Sequence, residues 1–223
     1  PHQEREKKQV VQKDAAETVK RVGLELGGKS AWIVLDDASL AANVAGATAG
    51  MMGNSGQTCS AGSRLLVPAS RMDEVRKVAA EAANGVTVGD PQGNFAMGPV
   101  VSKSQYNIIQ QYIEKGLEEG AELIAGGAGR PEGLDKGWYV RPTVFIGTND
   151  MVIAREEIFG PVLVIIGYDD LDHAVEIAND SNFGLGGYGR DTTPQLKALL
   201  AEGDLSYFRQ VASCGTSTQA SLP

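Results

Sequence analysis

Cys59 is the residue of this 223-residue chain whose setting best suits a nucleophile. It lies in GQTCSAGSR, residues 56–64, between Thr58 and Ser60 and just after a glycine-containing turn. A cysteine among apolar neighbours is a small buried hydrophobe. One set among small polar residues is accessible, lets backbone approach a ligand closely, and is the kind that reacts as a thiolate. Glu25, 34 residues upstream in LELGG, offers a carboxylate that could act as a general base. Alone, it reads more readily as a solvated loop carboxylate.

Two glycine patterns suggest other chemistry and fail on context. GLELGGKS, residues 23–30, fits the spacing of a phosphate loop, which requires a strand before it and a helix after it. Here a charged helical stretch precedes and the apolar SAWIVL follows. GLGGYG, residues 184–189, fits a dinucleotide fingerprint but lacks the preceding strand, so it reads as a loop entering an edge strand. GNSGQ has Gln57 where a serine nucleophile elbow needs glycine. With only His2 and His173 available, neither a Ser-His-Asp triad nor a zinc site finds its ligands.

The elements that must position Cys59 alternate between strands and helices. Residues 1–21 predict a helix, with Ala15, Ala16 and Val19, and Val22 just beyond, at helical spacing. SAWIVL (30–35), SRLLV (63–67) and VLVIIGY (162–168) are short, branched apolar runs that predict buried strands, and WYVRPTVFI (138–146) predicts an extended segment. Helices are predicted over 39–52, ended by Gly53-Asn54-Ser55-Gly56, and over about 71–84. Another is predicted over 102–119, with Ser102 as N-cap and Tyr106, Ile109, Ile113 and Leu117 as its apolar stripe. Asp170 can cap a helix bearing Leu171, Ala174, Val175 and Ala178. Gly126 to Lys136 reads as a polar loop. The pattern predicts an α/β fold, a mostly parallel sheet flanked by helices.

Composition narrows the function. A net charge of −8, with no basic stripe, disfavours nucleic acid as a partner. No run of eighteen apolar residues predicts a membrane span, and the first residues lack the apolar core of a signal peptide. Two cysteines, Cys59 and Cys214, form no disulfide framework and fit a reducing, cytoplasmic setting.

LELGGKS, GQTCSAGSR and EEIFGPV (156–162), in this order and spacing, resemble the aldehyde dehydrogenase superfamily, from about residue 15 to about 188. The resemblance implies the fold of that family's catalytic domain, with Cys59 as nucleophile and Glu25 as general base. It further implies that Glu157 and Phe159 contact the ribose–nicotinamide end of NAD or NADP, with Gly27 in the loop beside it. The implied reaction oxidises an aldehyde to an acid. Thiolate attack gives a thiohemiacetal oxyanion that backbone amides can stabilise, hydride leaves to the nicotinamide, and water activated by Glu25 hydrolyses the acyl-thioenzyme.

The family's polypeptide is longer. Residues 1–22 are expected to be a helical remnant of its cofactor domain, 23–190 the catalytic domain, and 191–223 an atypical tail, as after truncation or a change of reading frame. Two other functions follow from that expectation. One is cofactor-independent thiol esterase activity using Cys59 with Glu25. The other is a folded, non-catalytic piece whose uncovered apolar face drives homo-oligomer formation.

Overall fold

Sheet order follows from where the apolar runs lie. The computed structural model describes residues 2–189, and the stretch 191–223, with the helix read into RDTTPQLKALLAEGD, lies outside them. Six strands form one sheet: β1 (Ala31–Ile33), β2 (Arg64–Pro68), β3 (Glu122–Ala125), β4 (Thr143–Ile146), β5 (Val162–Tyr168) and β6 (Gly187–Gly189), in the order β3-β4-β5-β2-β1-β6. All neighbours are parallel except β3 and β4. The helices are α1 (His2–Glu17), α2 (Leu40–Met51), α3 (Met72–Asn84), α4 (Lys103–Glu118), α5 (Val152–Arg155) and α6 (Leu171–Asn179). None of them is long and apolar enough to cross a membrane.

The period of two along each buried strand splits the core into two layers. In β5, Val162, Val164, Ile166 and Tyr168 face one side with Ile109 and Ile113 of α4 and Ala174 of α6. Leu163 and Ile165 face the other, with Leu40 and Val44 of α2 and Val75 and Ala79 of α3. Adjacent strands keep the alternation: Leu66 joins the first layer, and Leu65 and Val67 join the second. Each fully buried Leu, Ile or Val contributes about 1.5–3 kcal/mol, so both faces of β5 are committed to packing.

Side-chain caps close the amino ends of α4 and α6 as their sequences suggest. The Ser102 side chain accepts from the Gln105 amide at 3.2 Å, and the Asp170 carboxylate accepts from the His173 amide at 2.8 Å. Other expectations need correction. The N-terminal helix stops at Glu17, because Val19 turns to φ 53 and the Lys20 amide donates to the Ala15 carbonyl at 3.0 Å. Leu117 is 45% exposed, since the last turn of α4 packs through Gly116 against Ile153 and Phe145. The segment 138–146 becomes a strand only from Thr143, after Pro142, which has no N–H to give to a ladder. The strand β3 has no strand signal in the sequence: as the outer strand of the sheet it is too exposed to carry an apolar signature.

Candidate active site

Three loops converge because each runs directly into one of three adjacent parallel strands. LELGGKS leads into β1, GQTCSAGS into β2, and EEIFGP into β5, and register pairs Ala31 with Arg64 and Arg64 with Val164. Their junctions lie at one edge of the sheet, the amino ends of the strands. Motifs far apart in sequence therefore meet in space.

The Cys59 loop is set by an unusual turn. Asn54, Ser55 and Gly56 take φ values of 50, 56 and 68 in succession. For Asn54 and Ser55 this left-handed conformation is held by hydrogen bonds. The Asn54 amide group donates to the Gln57 carbonyl at 2.9 Å, and the Ser55 hydroxyl donates to the Gly98 carbonyl at 2.8 Å. Gln57 accepts from the Val101 amide at 2.9 Å. Gly56 is required for space as well as angle, because a Cβ there would overlap the Gly160 carbonyl. Downstream, the Tyr188 hydroxyl donates to the Ser60 carbonyl at 2.6 Å. Cys59 lies exposed between these anchors with its thiol free.

The second loop crosses directly over the first. A Cβ on Gly28 would overlap the Cys59 carbonyl oxygen, and one on Gly27 would overlap the Glu157 carboxylate. Glycine at both positions is thus what permits the approach. The Gly28 amide donates to Glu157 Oε1 at 3.2 Å, tying this loop to the third. Glu25 lies exposed two residues before Gly27. Phe159 stands at φ 54 with 38% of its surface exposed. Gln105 of α4 donates to the carbonyls of Ile158 and Phe159, each at 2.9 Å, and fixes that turn. Gly28, Thr58, Glu157 and Phe159 line one small pocket between the loops. Among the described residues no group of three or more His, Cys, Asp or Glu side chains gathers as for a metal ion.

Beneath the loops are two cations the sequence reading passed over. Lys29 and Arg64 are each 2% exposed. Burial first, then the neighbouring Arg64, pulls the Lys29 amine down to about 7, against the opposing pull of Glu157 and Glu156. Its Nζ has no hydrogen-bond partner among the described residues. Arg64 is lowered to about 10 by burial and then by Arg155, with Asp180 opposing, so it stays charged at neutral pH. It donates through Nε to the Lys29 carbonyl at 3.0 Å, and through Nη1 to the Ile177 carbonyl at 2.8 Å and to Asn149 Oδ1 at 2.9 Å. Nη2 reaches the Ala178 carbonyl at 2.9 Å. A charged residue at the mouth of a buried apolar strand is the one signal that could have pointed to each.

The phosphate-loop reading of GLELGGKS is excluded by this geometry: the loop opens onto β1, not a helix, and Lys29 is buried. GLGGYG runs into the edge strand β6.

A cysteine on a glycine-built loop at the mouth of a parallel α/β sheet defines a class of site, and comparison with known proteins gives its family. The family model described as Aldehyde dehydrogenase family matches residues 5–193. This chain belongs to the aldehyde dehydrogenase family. The match begins ten residues before the point where the motifs suggested the resemblance starts. A putative aldehyde dehydrogenase of Staphylococcus saprophyticus is 50% identical over 180 residues, covering 80% of this chain and 38% of that protein. A cysteine-to-alanine mutant of aldehyde dehydrogenase C from Pseudomonas syringae, complexed with NAD+ and octanal, superposes with a TM-score of 0.84 at 44% identity. It covers 87% of this chain and 41% of its own. The Mycobacterium tuberculosis aldehyde dehydrogenase complexed with NAD+ gives a TM-score of 0.82 at 45% identity, covering 86% and 40%. The chain thus spans about two fifths of the length of these relatives.

Proposed function

We propose that this chain carries the acyl-transfer centre of an NAD-dependent aldehyde dehydrogenase, with Cys59 as nucleophile and Glu25 as general base. The observation supporting this reading is the convergence of the three family motifs on adjacent strand mouths, with Cys59 exposed and Gly28 against its carbonyl. The Cys59 thiolate adds to the aldehyde carbon, and backbone amides of its loop, including its own, hold the resulting oxyanion. Glu157, Phe159 and Gly27 would hold the ribose–nicotinamide end of NAD: the glycine lets the half-buried Glu157 carboxylate pack against its loop, and the aromatic ring is exposed on the same turn. NAD, when bound, supplies the hydride acceptor that makes the thiohemiacetal an acyl-thioenzyme. Glu25 then takes a proton from water as its oxygen bonds to the acyl carbon, and the Cys59 sulfur leaves as thiolate.

A second reading follows from the same residues. Cys59 and Glu25 lie in the described chain, and hydrolysis of an activated ester moves no hydride, so a thiol esterase cycle needs no dinucleotide. Incubation with p-nitrophenyl acetate without cofactor tests the shared thiol chemistry. The wild-type chain is expected to release p-nitrophenol, and Cys59→Ala to fall by about 10³-fold or to background. Full release from Cys59→Ala would overturn the assignment of the nucleophile, and no release from folded wild-type chain would leave it a non-catalytic piece of the family architecture.

A further inference from the structure

The proposed mechanism uses Cys59 and Glu25 but not the guanidinium buried beneath them. Arg64 follows Cys59 by five residues and opens β2. Its five N–H donors form a rigid planar fork, and four of them are used in hydrogen bonds of 2.8–3.0 Å. Two of the acceptors are last-turn carbonyls of α6, where a cation also meets the negative end of the helix dipole. A third is the Lys29 carbonyl, next to Gly28 in the loop that carries Glu25. The Arg64 backbone amide also donates to the Ser30 carbonyl at 3.2 Å.

The fourth contact closes a ring. Asn149 accepts from Arg64 and donates to Asp180 Oδ2 at 2.9 Å. Asp180 pairs with Arg155 at 2.8 Å, and Arg155 directly precedes Glu156 and Glu157. Glu157 accepts from Gly28, beside Lys29. The ring thus runs through the loops of Glu25 and Glu157 and returns to the strand that follows Cys59.

We propose that Arg64 is a positioning residue, holding the Glu25–Gly28 loop against the Cys59 carbonyl so that water activated by Glu25 can reach the acyl carbon. This rests on the reading of Cys59 and Glu25 given above. Formation of acyl-Cys59 needs the thiol and its own loop, which the Asn54–Gln57 turn anchors separately. Discharge needs the Glu25 loop as well: water's oxygen bonds to the acyl carbon, its proton passes to Glu25, and the C–S bond breaks with its electrons going to sulfur. Loss of the fork therefore slows discharge more than formation. Lysine keeps the charge but cannot present the planar fork, so Arg64→Lys isolates the geometry.

The test uses the full chain and two readouts. Hydrogen exchange is expected to rise across residues 24–30 in Arg64→Lys, while β5 stays protected and so reports an intact fold. In stopped-flow turnover of p-nitrophenyl acetate, the initial burst is expected to stay near wild type while the steady-state rate falls about tenfold. Asn149→Ala, which removes one acceptor, should shift both readouts in the same direction by less. Unchanged exchange at residues 24–30, or burst and steady state falling together, would overturn the proposal. A burst that persists in Cys59→Ala would instead sink the underlying reading of the nucleophile, and the exchange data would still decide whether Arg64 holds the loop.

Discussion

The two ends of the central strands are built on opposite plans. At the carboxyl ends the chain turns away through acidic, solvent-facing residues tied by ion pairs and turn hydrogen bonds. Asp37 accepts from the Ser39 amide at 2.7 Å, Asp170 caps α6, and Arg71 pairs with Asp36 and Glu74. The Tyr168 hydroxyl, raised to about 12 chiefly by burial, donates to the Val34 carbonyl at 2.7 Å and seals that end. At the amino ends the loops are glycine-built and cross one another, with two buried cations beneath them. Ligand sites of open α/β sheets usually lie at carboxyl ends. Here the end that seals itself is the carboxyl end, and the one that keeps an exposed thiol and a buried amine without a hydrogen-bond partner among the described residues is the amino end.

That contrast sets the scale of what substitutions should do. The largest effect is expected at Lys29. Its folded value of about 7 lies below the ordinary 10.5, so between these pH values the unfolded chain binds more protons than the folded one. Stability should therefore rise as pH goes from 7 towards 10, by up to about 5 kcal/mol, and level off below 7. Lys29→Met should remove this slope. Urea midpoints across that range check it, and a slope equal in both proteins would break the contrast. Next is Gly56→Ala, which puts a side chain at φ 68 against the Gly160 carbonyl and should cost about 2–4 kcal/mol. A melting temperature equal to wild type would show that the crossing of the loops is not tight. At the carboxyl end, Asp170→Ala removes a cap and should cost only about 1 kcal/mol, with Cys59-dependent turnover unchanged when both are measured on one preparation. Loss of turnover there would mean that the two ends are not independent.

How much of this could be read from the sequence depended on how locally each feature is encoded. The strands β1, β2 and β5 were visible because their runs of branched apolar residues are buried on both faces. The caps Ser102 and Asp170 were visible because a cap is set within four residues. Cys59 stood out by its small polar surroundings, the roles expected of Glu25, Gly27, Glu157 and Phe159 came only through contiguous motifs, and the meeting of their loops at one edge required the strand order. Leu117 was misplaced because the choice between it and Gly116 is made by Ile153, far along the chain. The strand β3 was hidden because an exposed edge needs no apolar pattern. Arg64 and Lys29 were passed over because a lone cation beside an apolar run looks like a solvated boundary. It becomes a buried hub only when residues more than a hundred positions away, Ile177 and Ala178, close over it.

On the proposed reading, the amino-end loops make Cys59 the acyl carrier. Peptide mapping by mass spectrometry after a brief, acid-quenched reaction with p-nitrophenyl acetate tests it most directly. An acetyl group is expected on Cys59 in the wild-type chain, at higher occupancy in Glu25→Gln because discharge is slowed. Acetyl found on Cys214 or on surface lysines, with Cys59 unmodified, would contradict it.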